Sequence, residues 1–125
     1  MPLITETIRE ALLKNGKMQK ENIRKGKPEL DPKPVVKLFR MGGPCRWLLT
    51  ELDPDDHDLA FGLCDLGLGS AELGHVRISE IEACSLPPFQ PMLRDGLFQA
   101  DRTISEFAEL AARDGRIKAW SSGCE

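Results

Sequence analysis

The stretch ELDPDDHDLAFGLCDLGLG, residues 51–69, sets five carboxylates and a histidine ahead of an apolar run and closes on two spaced glycines. Side chains of these types can bind a divalent cation, cradle a phosphate or carry acid–base chemistry, so their spacing has to choose among the three. A helix–loop–helix calcium site needs oxygen ligands at alternate positions, glycine at the sixth and a bidentate glutamate at the twelfth. Counted from Asp53, those last two positions hold Asp58 and Cys64, and the pattern fails where its geometry is strictest. Gly67-Leu68-Gly69 starts like a dinucleotide fingerprint. Glu72 stands in the third glycine's place, however, and a strand-like run follows where a helix N-terminus would receive the pyrophosphate. What remains is a hairpin: Asp53 bonds its own turn, Pro54 presets the backbone after it, and Asp55, Asp56 and His57 stay in water.

Nucleophilic chemistry has one candidate arrangement. Cys64 and His75 fall on strands expected to be neighbours, and Asp65 sits between an apolar strand and the glycine bend, so the three could define a small hydrolase. A cysteine within LAFGLCDL reads more simply as a small buried hydrophobe, and an aspartate before a glycine bend as an acceptor for the bend's amides. Hydrolysis by paired carboxylates needs two acids at a set separation across a cleft. Glu51, Asp65, Glu72, Glu80 and Glu82 supply many candidates and no feature that selects a pair. Neither a Cys-x-x-Cys pair nor a closely spaced His pair occurs, so no metal and no cofactor is expected.

The elements that must position these residues are legible in outline. LITETIREALLK, residues 3–14, repeats apolar residues at helical spacing, and Asn15-Gly16 reads as the stop of that helix. Residues 17–34 are polar, basic and broken by prolines, which predicts a flexible surface loop carrying Lys17, Lys20, Arg24, Lys25 and Lys27. Four strand signals follow, over 35–39, 46–52, 59–66 and 73–79, with intervals that suit antiparallel neighbours. Ser79-Glu80-Ile81-Glu82 fits a capping box for a short helical turn ended by Pro87-Pro88. Asp95-Gly96 marks a hairpin or kink, and Thr103-Ile104-Ser105-Glu106 opens a second helix that runs up to Gly115. The tail 118–125 is expected to be loose, with Trp120 as its anchor. The fold class is α+β, an antiparallel sheet of four or five strands with an N-terminal and a C-terminal helix on its inner face. Its expected core is Ile8, Leu12, Val36, Leu38, Trp47, Leu49, Phe61, Leu63, Val76, Ile78, Phe107 and Leu110.

A chain of 125 residues suits one domain, with a core from about 3 to 117. Its 41 % hydrophobic and 30 % charged residues are those of an ordered globular protein. Unpaired cysteine spacing and a start unlike a secretory leader suggest a reducing, cytoplasmic setting. The longest apolar run, 59–64, is far below the roughly 20 residues of a membrane span, so no membrane is expected. The net charge of -3 hides a segregation: residues 1–40 carry ten Lys or Arg against five Asp or Glu, and residues 41–82 two against nine. Two candidate contact surfaces of opposite sign follow, the basic segment and the acidic hairpin at Asp55, Asp56, His57 and Asp58.

The ordered set PVVKLF (34–39), WLLTELDPDD (47–56), AFGLCDLGLG (60–69), ELGHVRISEIE (72–82) and LRDGLF (93–98) resembles a bacterial family of small proteins. That family is known only as a domain of unknown function and is carried largely on plasmids and other mobile elements. The resemblance covers about residues 3–117. It implies a cytoplasmic, single-domain α+β protein accessory to mobile DNA, in antirestriction, host-defence evasion or conjugation, and it transfers no catalytic residue. The basic loop is longer and more basic than the family leads one to expect. The leading expectation is a non-enzymatic protein that acts through a protein partner, using the open side of its sheet or the acidic hairpin. A nucleic-acid-associated protein using the basic segment is the alternative, and a small hydrolase around Asp65, Cys64 and His75 the third.

Overall fold

A computed structural model describes residues 3–86 and 88–117. Thr5 opens the first helix, α1, Glu6–Arg24: its backbone is extended and its hydroxyl accepts a hydrogen bond from the Ile8 amide at 3.2 Å. The helix does not stop at Asn15-Gly16. Gly16 is buried where α1 crosses the sheet, and a β-carbon there would stand 1.9 Å from the Leu52 carbonyl oxygen. Asn15 Nδ2 donates to the Thr50 carbonyl at 2.8 Å. Two residues with a local preference for a stop are thus used for close approach to a strand. As a result α1 takes up Lys17, Lys20 and Arg24, which the sequence assigns to a loop, Lys25 ends the helix, and the loop begins only after it.

Strands β1 (Val36–Arg40), β2 (Arg46–Asp53), β3 (Asp56–Asp65), β4 (Glu72–Arg77) and β5 (Met92–Arg94) form one antiparallel sheet in the order β4-β3-β2-β1-β5. β5 does not turn back on the residues after Asp95-Gly96; it pairs with β1, Leu93 opposite Phe39, and closes the far edge. The short helix α2, Ile78–Ala83, follows β4 directly. Its start lies two residues before the one that Ser79 suggests: the Arg77 amide donates to Glu80 Oε1 at 3.0 Å, and Ser79 turns to Asp58 instead. Helix α3, Ile104–Asp114, has the capping box of Thr103 and Glu106, and Gly115 ends it in the left-handed region at φ 76°.

The sheet is buried on both faces, which corrects the expectation of one inner face carrying both long helices. On one face Leu12 of α1 and Ile78 and Ile81 of α2 pack with Leu38, Trp47, Leu49 and Leu52. On the other, Ile104, Phe107 and Ala111 of α3 pack with Leu48 and Leu63, joined by Ile117. Neighbouring residues of a strand point to opposite faces, so the unbroken run Trp47-Leu48-Leu49 is what a strand covered on both sides requires. Of the expected core, Ile8, Phe61, Val76 and Leu110 are only half-buried, whereas Leu48, Leu52, Ile81, Lys37, Thr50 and Asp65 are interior. Lys37 reaches Asp95 at 3.7 Å, and burial, opposed by that carboxylate, pulls its ammonium down to about 8. The tail 118–125 with Trp120, and Pro87 of the expected Pro87-Pro88 stop, lie outside the described residues. Among the described residues no helix is long and apolar enough to cross a membrane.

Candidate functional site

β2 carries one residue more than its partner strand. Leu49 pairs with Gly62 and Glu51 with Phe61, which leaves Thr50 as a bulge. Its hydroxyl donates to the Phe61 carbonyl at 3.2 Å, while its own carbonyl takes the Asn15 amide described above. Gly62 makes room opposite: a β-carbon there would lie 2.0 Å from the Leu48 carbonyl oxygen. A bulge shifts the in–out alternation of the strand beyond it. Leu49 and Leu52 therefore both join the α1-side core although they are three apart, and Glu51, opposite Phe61, is turned to the face that carries α3; a second register shift separates Leu52 from Asp53.

On that face Glu51 meets Leu59 and Phe61 of β3 and His75 of β4, with Asp53 beside them. The last turns of α1, with Gln19, Lys20 and Ile23, and Glu29 of the following loop complete a groove of about 240 Å³. The Phe61 and His75 rings meet edge to face with centroids 5.1 Å apart. Gln19 Oε1 accepts from the Leu30 amide at 2.7 Å, which holds the loop, and Glu29 with it, against the helix. Farther on, the loop is pinned to the start of α3. The Ser105 amide donates to Asp31 at 3.0 Å, the Ser105 hydroxyl donates to the same carboxylate, and the Ile104 amide donates to the Pro32 carbonyl at 2.9 Å. Burial raises the Glu51 carboxyl above its ordinary 4.5, and the charges of Glu29 and Asp53 add to the effect. Among the described residues neither Glu51 nor Glu29 has a hydrogen bond or ion pair to its side chain.

The hairpin tip next to the groove is also acidic but is neutralised from within. Asp53 Oδ1 accepts from the Asp55 amide at 2.7 Å, closing the turn as its sequence predicts. Lys20 reaches back from α1 to Asp53 at 3.3 Å and to Asp55. Arg77 pairs with Asp56 at 2.9 Å and lies 3.8 Å from Asp58, and Asp58 also accepts from the Ser79 amide at 3.0 Å and hydroxyl at 2.7 Å. The Asp55 amide, followed by Lys20, lowers the Asp53 carboxyl, and the Ser79 hydroxyl chiefly lowers that of Asp58. His57 sets a ring nitrogen 3.1 Å from the Pro54 carbonyl. Asp55, Asp56, His57 and Asp58 thus lie at the surface, with their carboxylates engaged by Lys20, Arg77 and Ser79.

The basic set lies at the surface and is partly paired: Lys20 serves the hairpin, Arg24 and Lys25 both bond Glu21, and Lys17 and Lys27 are exposed beside them. The suggested hydrolytic trio is not assembled. Cys64 packs toward the α1-side core, its thiol pushed up to about 11 by burial, whereas His75 lies on the other face against Phe61. Asp65 is buried and accepts from two backbone amides, Gly67 at 2.8 Å and Ile117 at 2.9 Å, so it ties the glycine bend to the end of α3's core. Among the described residues no group of three or more His, Cys, Asp or Glu is placed to hold a metal ion.

Sequence alone does not single out the groove. Glu51 stands there among several equivalent acids, Phe61 reads as core and Glu29 carries no signal. The one trace is the spacing from Leu49 to Leu52, three where a strand face repeats every two, which marks the bulge.

A family model described as protein of unknown function (DUF2958) matches residues 3–118. No curated protein and no solved structure matches the chain.

Proposed function

We propose that this chain, which belongs to the DUF2958 family, is a non-enzymatic interaction protein that docks a partner protein over the acid-lined groove on its sheet. The observation that carries this reading is the pair Glu51 and Glu29, two carboxylates beside an apolar floor that form no ion pair with the described residues, Lys20 of the same groove being engaged by Asp53 and Asp55. Glu51 is half-buried, so leaving its charge unpaired disfavours the isolated protein slightly and favours whatever brings a cation to it, while Glu29 is exposed at the rim. The setting implied by the resemblance, a cytoplasmic accessory protein of a mobile element in antirestriction, host-defence evasion or conjugation, agrees with a protein that works through a partner. The nucleic-acid alternative draws less support, because Lys20, Arg24 and Lys25 are already paired with carboxylates.

The test is capture of partners from the native host by tagged wild-type chain and by a Glu29→Gln, Glu51→Gln variant. The expected result is a protein retained by the wild type and lost from the variant. An identical partner set at equal yield would move the docking site away from the groove.

A further inference from the structure

We infer that the groove receives a single arginine side chain from a basic segment of the partner, its guanidinium against Glu51 and Glu29 and its stem along Ile23, Leu59 and Phe61. The inference rests on the reading of the groove as a docking site and specifies what enters it. Size argues first. A volume of about 240 Å³ is below the roughly 300–1,000 Å³ of clefts that hold drug-sized ligands, and it suits one long side chain.

Charge and shape argue next. The floor is apolar, as an aliphatic stem requires, and the rim carries Glu51 on β2 and Glu29 on the loop after α1, neither in an ion pair; its one lysine, Lys20, is paired with Asp53 and Asp55, so the lining keeps an acidic excess. A guanidinium has donors along several edges and can bridge two acids. An ammonium is a compact point charge that is more strongly hydrated and harder to bring into a half-buried site. The Phe61–His75 pair adds an aromatic surface on which a planar cation can rest. The raised Glu51 carboxyl fits the same picture, since an arriving cation would relieve it. Access argues for a peptide segment: His75 belongs to β4, the edge strand, along which an extended chain can run while one side chain turns into the groove.

The test is a nuclear magnetic resonance titration of the full chain with a capped five-residue peptide holding one arginine among glycines. A citrulline peptide of the same shape without charge, a lysine peptide and free spermidine serve as comparisons. The arginine peptide should shift Ile23, Phe61 and His75 resonances, and the citrulline peptide should bind at least roughly tenfold more weakly. Glu51→Gln, a near-isosteric change at a half-buried position, should melt no lower than the wild type and lose arginine affinity to a similar degree. Equal binding of the citrulline peptide, shifts confined to other residues, or an unaffected Glu51→Gln variant would overturn the inference. A lysine peptide binding as well as the arginine one would overturn its choice of side chain, and spermidine binding more tightly than the peptide would overturn its choice of source. A partner whose capture depends on the groove, together with failure of the arginine peptide, would sink this inference and leave the docking reading standing. Arginine binding that depends on Glu51, with no groove-dependent partner, would do the reverse.

Discussion

The hairpin tip and the groove lie side by side and are both acidic, yet they differ in where their counter-charge comes from. At the tip Lys20 answers Asp53 and Asp55, and Arg77 answers Asp56 and Asp58. In the groove Glu29 and Glu51 have no such answer among the described residues. A run of carboxylates on a turn, as in DPDDHD, can be balanced by its own fold, while two acids far apart in sequence are left without an ion pair. The two regions meet at Lys20 and Asp53, which both line the groove and pair with each other at 3.3 Å, and they share the last turns of α1 as a wall. Whatever moves α1 should disturb both.

The largest effect should come from that shared wall. Gly16→Ala places a methyl group on the Leu52 carbonyl oxygen and has to push α1 from β2; we expect a loss of roughly 2–3 kcal/mol in chemical denaturation. Unchanged stability would mean that helix and strand are not in close contact. A smaller loss separates the tip from the groove. Asp58→Ala removes the acceptor of two Ser79 bonds at the first turn of α2, and should cost about 1 kcal/mol, held to that by its exposure. Smaller still is the combined change Asp55→Asn, Asp56→Ser and His57→Ser, which breaks exposed ion pairs but leaves Asp53 and Pro54 to set the turn. It should alter stability by less than about 1 kcal/mol and leave partner capture intact. Loss of the partner in that variant, with the groove variant unaffected, would reverse the roles assigned to the two regions.

Acid titration should divide them in sign. Asp53 and Asp58 hold their protons less tightly in the native state than their ordinary 3.8, so the unfolded chain protonates first and their stabilisation is lost as pH falls below that value. Glu51 behaves oppositely. Its native value lies above 4.5, so the native state keeps the proton longer and stability falls as pH rises through the interval just above 4.5. Glu51→Gln should remove that fall and leave the more acidic limb in place, which equilibrium denaturation at several pH values can check.

How far the sequence prepares one for this depends on the range of each contact. The Asp53-Pro54 turn and the Thr103–Glu106 cap are decided within four residues, and both stand as their letters suggest. Asn15-Gly16 also carries a local signal, but the stop is overridden by contacts with Thr50 and Leu52, residues that only the tertiary fold brings near. Trp47-Leu48-Leu49 signals a strand covered on both faces, and the placement of α3 opposite α1 follows from it once the run is taken as continuous. The groove is least legible. It needs the bulge at Thr50 to aim Glu51, and the Gln19–Leu30 bond to bring in Glu29. Lys20 is spent on carboxylates more than thirty residues away, so charge runs along the chain do not tell which groups remain uncompensated.

Whether half-buried Glu51 lacks a cation while Asp53 and Asp58 have their partners can be followed in the side-chain carboxyl resonances of the three residues through an acid titration of the intact protein. We expect a Glu51 midpoint above 4.5, raised first by burial, together with Asp53 and Asp58 midpoints below 3.8. A Glu51 midpoint at or below 4.5 would mean that a cation already answers it and that the groove has no charge to offer a partner.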